Sequence, residues 1–329
     1  MTLPATPDIQ REVLEAEDRI RLHIRQTPLE PSLWLSQQAG CEVYLKLENL
    51  QVTSSFKIRG ALNKILSLGE DERARGIVTA SSGNHGSAVA HLLRKFGLSG
   101  SIYVPENASG AKIETLRSLD ADLVLHGTDG IEAERTARQV ADQQGRVYVS
   151  PYSDPQIIGG QGTVGLELEQ QLEGIDAVFC PVGGGGLAAG IAGYLKSSDA
   201  QIRFVGCQPR NSAVMYESVK AGEILDLSST ATLADGTAGG IESDSLTFPF
   251  CRDLIDEYVL VDEDEIAAAI RLIMARHHLL IEGAAALSVA AFLRRAEGFR
   301  GARVVLIISG ARISLETLKR VLEMGEVGE

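Results

Sequence analysis

The feature that most limits the fold of this chain is a regular alternation of short β-branched runs with amphipathic stretches, repeated along most of its length. Glu42–Leu47, Gly76–Ala80, Ser101–Val104, Asp122–Leu125, Val147–Val149, Ala177–Pro181, Ile202–Gly206 and Arg303–Ile308 read as strands. Between them Ala61–Leu68, Ser87–Phe96, Ala111–Ser118, Glu132–Gln143 and Leu187–Leu195 carry a helical period, and Ile9–Arg25 reads as a helix ahead of the Thr27-Pro28 turn. Asp262 with Glu265 three residues on has the pattern of a capping box, opening a helix with Ile266, Ile270 and Ile273 on one face. Such alternation gives a parallel sheet covered on both faces, so the class is α/β. Residues after about Leu322 read as a frayed tail.

Composition narrows the partners. At 329 residues and 44% hydrophobic content, the chain can bury a sizeable core in one large domain or two medium ones. Its 31 Lys and Arg face 44 Asp and Glu, a net charge of −13 that repels phosphate backbones and anionic lipid. No basic cluster interleaves with aromatics, so neither nucleic acid nor membrane is expected as a partner. No apolar segment resembles a leader or reaches transmembrane length. Cys41, Cys180, Cys207 and Cys251 are scattered without CxxC or zinc-like spacing, which predicts buried reduced thiols and a cytoplasmic protein.

Four loops, each between a predicted strand and a predicted helix, carry the chemistry; ligands bind outside the carboxyl ends of strands in open α/β sheets. In Thr53-Ser54-Ser55-Phe56-Lys57, the two serines read as helix caps that place Lys57 in a first turn. There the dipole and partial burial disfavour the ammonium, leaving an amine able to form a Schiff base with an aldehyde cofactor. In Ser81-Ser82-Gly83-Asn84-His85-Gly86, small residues and a helix N-terminus suit a carboxylate, and Asn84 suits a cofactor hydroxyl. His85 reads as structural rather than catalytic. Gly183-Gly184-Gly185-Gly186 with Leu187 forms a nest of N–H groups ahead of a helix, fit for phosphate. Ser309, at the end of the last strand, either points into the shared crevice or caps the helix that follows.

Taken together, Ser54 to Ala61, Ser82-Gly83-Asn84-His85-Gly86, Gly160-Gln161-Gly162-Thr163 and Gly183 to Gly186 resemble the fold-type II pyridoxal 5′-phosphate (PLP) enzymes, in the branch of threonine/serine dehydratases and serine racemase. The resemblance runs from Thr27-Pro28-Leu29 to Ser309-Gly310. It implies a tryptophan synthase beta-like pair of open parallel-sheet domains with helices on both faces and the cofactor in the cleft between them. Residues 1–52 with 150–329 would form the large PLP-binding domain, and 53–149 the small one. It further implies that Lys57 carries the cofactor as a Schiff base and acts as base on Cα–H, with Ser82 on the opposite face. Phe56 and Gly236 would flank the ring, Asn84 contact its 3′-oxygen, Gly183 to Leu187 hold the phosphate and Ser309 the ring nitrogen. Ser81 to His85 would hold the substrate carboxylate. A neutral serine at the ring nitrogen weakens the electron sink, which favours expulsion of a β-hydroxyl over a long-lived carbanion.

The expected activity is an ammonia-lyase (dehydratase) acting on a small amino acid such as L-threonine or L-serine, in a homodimer. An amino acid racemase, or a lyase for 3-hydroxyaspartate, phenylserine or a hydroxyectoine-derived amino acid, is the alternative. Arg312 stands where the family has asparagine. Gln208-Pro209 replaces the usual Glu of the metal-binding members, and Ser212 and Val214 stand where those have Ala or Gly and then an acid, so without both carboxylates no Mg²⁺/Ca²⁺ site is expected. Glu282, followed by Gly283, either lies near the cofactor or caps a helix. A dinucleotide-binding oxidoreductase lacks its acid, since Ile202–Gly206 runs into Cys207-Gln208. Lys57, Asn84 and Ser309 together argue against an inactive binding protein.

Overall fold

A computed structural model describes residues 8–128 and 130–325. In chain order it begins with α1 (Ile9–Ile20), β1 (Leu29–Pro31), α2 (Leu33–Ala39), β2 (Glu42–Lys46), α3 (Lys57–Ser67) and α4 (Glu70–Arg75). There follow β3 (Ile77–Ala80), α5 (Asn84–Phe96), β4 (Gly100–Val104), α6 (Gly110–Arg117), β5 (Asp122–Leu125), α7 (Gly130–Gln144) and β6 (Val147–Tyr148). Next come α8 (Pro155–Gln171), β7 (Ala177–Pro181), α9 (Gly186–Ser198), β8 (Arg203–Pro209), α10 (Val214–Ala221) and α11 (Thr247–Leu254). The chain closes with β9 (Glu257–Val261), α12 (Glu263–His277), α13 (Gly283–Arg295), β10 (Arg303–Ile307) and α14 (Leu315–Glu323).

Two sheets result, in the orders β1-β2-β10-β7-β8-β9 and β5-β4-β3-β6. The short β1 runs antiparallel to β2, and the other pairings are parallel, as the alternation requires. Strand β7 shows why helices cover both faces: all five of its residues are buried. Ala177 and Phe179 join the core beneath α12 and α13, while Val178 and Cys180 join the one beneath α9.

The strand orders fix where a ligand fits. In the larger sheet β8 and β9 step outward from β7, and the chain then returns to place β10 on the other side of β7. In the smaller sheet β4 and β5 step outward from β3, and β6 returns to its other side. Each reversal opens a crevice at the carboxyl ends of the strands, where the connections diverge. The crevices are bordered by residues 182–185 and 308–310 in one sheet, and by 81–83 and 149–153 in the other.

Helix α8, absent from the sequence expectation, packs against α1, α3 and α9. Asp154 caps it, accepting from Gln156 and Ile157 N–H, and Pro155 takes the first turn. A Cβ on Gly160 would lie 2.6 Å from Gly60 Cα, and one on Gly162 2.9 Å from Gly190 O. The glycines that argue against a helix locally are what let these backbones approach. The Gly160-Gln161-Gly162-Thr163 motif is thus a packing motif, and Gln161 Oε1 accepts from Gly60 N at 3.2 Å.

Other departures also have tertiary causes. Helix α1 ends at Ile20, short of the expected Arg25, and continues as a 3-10 turn over Arg21–His23. Arg21 is drawn to Glu167 at 2.6 Å, while Arg25 donates to Gln51 Oε1 and Leu50 O. Neither Ser54 nor Ser55 caps α3: Phe56 holds the N-cap position without a side-chain bond, and Ser54 adopts φ +60°. Those residues follow β10 instead, through a Ser55–Gly310 bridge. The capping box of Asp262 and Glu265 is present at α12. Of the expected tail, 326–329 lie outside the described residues, as do 1–7 at the other end.

Candidate active site

Helix α3 delivers Lys57 to the crevice of the smaller sheet, where its Nζ donates to Pro151 O at 2.8 Å. Phe56 precedes it, its ring centroid 5.2 Å from that nitrogen. Phe56 N donates to Ser309 O at 3.1 Å and Ala311 N to Ser54 O at 3.0 Å, so the lysine helix is stitched to the end of β10. Burial pushes the Lys57 pKa down to about 8, although Glu134 and Glu282 pull it upward.

Beyond Pro151, Tyr152 links this crevice to the other. A Cβ on Gly184 would meet the Tyr152 ring at 2.5 Å, and Tyr152 OH accepts from Glu242 N at 3.0 Å. Gly185 takes φ +86°, open to glycine at little cost, and starts α9 with no side-chain cap. The first N–H groups of α9 have no carbonyl one turn back and no side-chain cap, which leaves backbone donors at the tetraglycine. Leu187 adds its N–H to that turn and its side chain to the core.

Helix α5 starts in a similar way. Gly83 stands at its N-cap without a side-chain bond, Ser81 Oγ accepts from Gly83 N at 3.2 Å, and Ser82 is half-buried. His85 is buried, and its Nε2 must donate to Val149 O at 3.1 Å. Burial and Lys57 push its pKa down to about 3, so the ring is neutral and structural. Asn84 reaches across the cleft, Nδ2 donating to Glu282 Oε1 at 2.8 Å. Ser309 is buried and does not cap the next helix, since Ser314 caps α14. Gly236 lies in the 3-10 turn Asp235–Thr237, where a Cβ would stand 3.6 Å from Glu282 Oε1. The next residue, Thr237, has its Cα 3.0 Å from a Cβ built on Gly183.

The lysine, both anion loops, Asn84, Ser309 and Gly236 therefore converge on one cleft between the sheets. Sequence reasoning missed Pro151, Tyr152 and a polar group on its wall. There Tyr148 donates to Glu134 at 3.0 Å, Arg138 pairs with Glu242, and its guanidinium lies 4.4 Å from the centroid of the Tyr148 ring. Burial and a bond to Glu242 push Glu134 up to about 8. These contacts join α7 to residues 239–242, a pairing without local signal. Gln208 Oε1 accepts from Tyr216 N at 2.7 Å, completing the first turn of α10.

The pyridoxal-phosphate-dependent enzyme family matches residues 20–310. This chain belongs to that family. It is 40% identical over 316 residues to an L-threonine ammonia-lyase of Thermotoga maritima, covering 96% of this chain and 78% of that protein. It is 37% identical to the L-threonine dehydratase catabolic TdcB of Escherichia coli K12, covering 94% of each. Threonine deaminase isoform 2 from Solanum lycopersicum superposes with a TM-score of 0.91 at 34% identity, covering 99% of this chain and 96% of that one. Maize serine racemase superposes with a TM-score of 0.88 at 31% identity, covering 97% of each.

The cleft fits the family's cofactor. Lys57 offers an amine with lowered pKa, the glycine loop an uncapped helix start, and Thr53 Oγ1, Ser55 Oγ and Asn84 Oδ1 are buried without partners.

Proposed function

We propose that this chain eliminates water from a β-hydroxy amino acid such as L-threonine or L-serine, releasing a 2-oxo acid and ammonia. The observation that carries the reading is the place of Lys57: an amine with a pKa of about 8, bonded to Pro151 O, whose neighbour Tyr152 packs on Gly184 of the uncapped glycine loop. Bound PLP supplies an aldehyde for amines and a ring that withdraws electrons from the substrate's Cα.

The chain's own residues do the rest. Lys57 would hold the cofactor, and its Nζ, with a lowered pKa, would take the Cα proton of the substrate. Gly183 to Gly186 and Leu187 bind the phosphate through backbone N–H groups. Ser81 to His85 bind the carboxylate at the start of α5, with His85 fixing the loop through Val149 O. Phe56 and Gly236 bound the ring, Asn84 meets its 3′-oxygen, and Ser309 offers the ring nitrogen a neutral hydroxyl. Ser82 faces the substrate from the side opposite Lys57. Residues 1–52 with 150–329 are the large PLP-binding domain in this reading, and 53–149 the small one.

The enzyme works as a cytoplasmic homodimer in this reading. Four free, buried cysteines suit a reducing compartment, and the exposed Leu14, Leu22 and Leu33 suit an apolar interface. Among the described residues no helix is long and apolar enough to cross a membrane.

A panel of β-hydroxy amino acids scored for ammonia release tests the activity, with L-threonine and L-serine expected to react. Serine followed for both pyruvate and D-serine separates elimination from racemisation; D-serine as main product defeats the proposal. Lys57→Ala is expected to lose both the yellow colour of the loaded enzyme and turnover while far-UV circular dichroism stays unchanged. Full turnover in that variant would overturn the role of the lysine.

A further inference from the structure

The sequence leaves Glu282 poised between a helix cap and a cleft residue, and the geometry decides. It occupies the N-cap position of α13, yet its side chain makes no cap bond there. The buried carboxyl turns into the cleft instead, where Oε1 accepts from Asn84 Nδ2 at 2.8 Å and Oε2 from Arg312 N at 2.9 Å. Asn84 belongs to α5 beside the smaller sheet, and Arg312 follows β10 of the larger one. A single carboxyl therefore ties the two strand-end regions together across the site.

Its surroundings are shaped to admit it. A Cβ on Gly310 would stand 2.5 Å from Glu282 Oε1, so only glycine leaves room beside Ser309. Gly236 packs on the same oxygen, and Glu282 N donates to Gly310 O at 3.1 Å. Gly236, expected at the ring face, and Asn84, expected at the 3′-oxygen, adjoin this side chain, and Ser309, expected at the ring nitrogen, directly precedes Gly310. Asn84 Oδ1, at the other end of the amide, is buried without a partner.

We propose that Glu282 is a positioning residue: its carboxylate fixes the orientation of the Asn84 amide, presenting Oδ1 and the second N–H to the cofactor. This rests on the family's cofactor occupying the cleft. Both oxygens accept, so the ionised form satisfies both donors, while a proton would compete with one of them. The charged and titratable groups around it are Asp235 on the 3-10 turn, Lys57 on α3 and Arg312 after β10. Burial and then Asp235 push Glu282 up to about 7, against the bonds from Arg312 N and Asn84, so this proton moves in the neutral range.

Glu282→Gln tests the proposal, since it keeps the volume but turns an NH2 toward one of the two donors. The measurements are the PLP dissociation constant by equilibrium dialysis, and the absorption of bound PLP from about pH 6 to about pH 9. The variant is expected to bind PLP at least about tenfold more weakly and to lose a spectral step near neutrality that the parent shows. In an Asn84→Ala background the same substitution is expected to change affinity less than about twofold, because its effect runs through Asn84. Affinity within about twofold of the parent with the step retained, or fully additive losses, would refute the role. If Glu282→Gln does not fold, Gly310→Ala displaces the carboxyl without removing it and is read by the same criteria. A parent protein that binds no PLP would instead overturn the family assignment of the cleft.

Discussion

An amine whose pKa has fallen to about 8 is roughly half neutral at pH 8, where an ordinary lysine near 10.4 is almost wholly charged. Lys57 is accordingly expected to react with an amine-directed reagent such as trinitrobenzenesulfonate before the other lysines of the cofactor-free protein. Peptide mapping after brief labelling checks this, and uniform labelling would contradict it. Lys46 does not compete, although burial lowers its pKa as well, because it is sealed against Glu167 and Thr27 O. Gly184 is the second residue with a sharp consequence. A methyl there would drive into the Tyr152 ring, so Gly184→Ala should weaken PLP binding at least about tenfold at a stability loss of about 1–3 kcal/mol. Dialysis and urea unfolding measure the two effects separately.

Among the elements, α8 carries the most. Its Glu167 lies fully buried among Arg59, Lys46 and the partly exposed Arg21. Arg59 also grips Glu48 through two bonds of 2.8 Å, which holds α3, and with it Lys57, against β2 and α8. Burial pushes the Glu167 carboxyl up, but Arg59 and Lys46 more than offset that and hold it at about 2. Removing one partner of a buried network leaves the others unpaired. Glu167→Gln is therefore expected to destabilise the protein by about 3–5 kcal/mol in urea melts, far more than an exposed pair such as Lys319–Glu323 would lose. The sequence could not announce this group, because its members are spread from Arg21 to Glu167 and become neighbours only when α1, β2, α3 and α8 pack.

At the scale of the whole molecule, buried groups set how stability depends on pH. Glu282 and Glu134 keep their protons up to about 7 and 8, whereas unfolded glutamates release them near 4.5. His85 stays neutral down to about 3 against 6.5 when unfolded. Between about pH 4.5 and 6.5 the folded chain thus holds two extra carboxyl protons and lacks one imidazole proton. Net proton uptake on folding makes stability fall as pH rises, by about 1.4 kcal/mol per unit. Below about pH 4.5 the carboxyl excess vanishes, and His85 with Glu167 reverse the sign, since the unfolded chain then binds more protons. The cofactor-free protein is expected to melt highest near pH 4.5–5 and lower at pH 8, as calorimetry across that range would show. A melting temperature that rises steadily to pH 8 would contradict these assignments.

By itself the sequence determined the α/β class, most strands and the family with its cofactor, because hydrophobic period, small-residue turns and the lysine and glycine motifs are local properties. It also placed three of the four loops at strand ends, since the Ser81–Gly86, Gly183–Gly186 and Ser309 segments closely follow β3, β7 and β10, whereas a 3-10 turn over Glu48–Leu50 separates β2 from the lysine motif. The tertiary structure decided what lies between the motifs. Glycine-rich α8 is helical because neighbouring backbones need its missing side chains, and α1 stops early because Glu167 claims Arg21. Ser55 bridges Gly310 rather than capping a helix, and Glu282 spans the cleft to Asn84 rather than capping α13. These outcomes depend on contacts between residues far apart in the chain, and no local propensity encodes such distances.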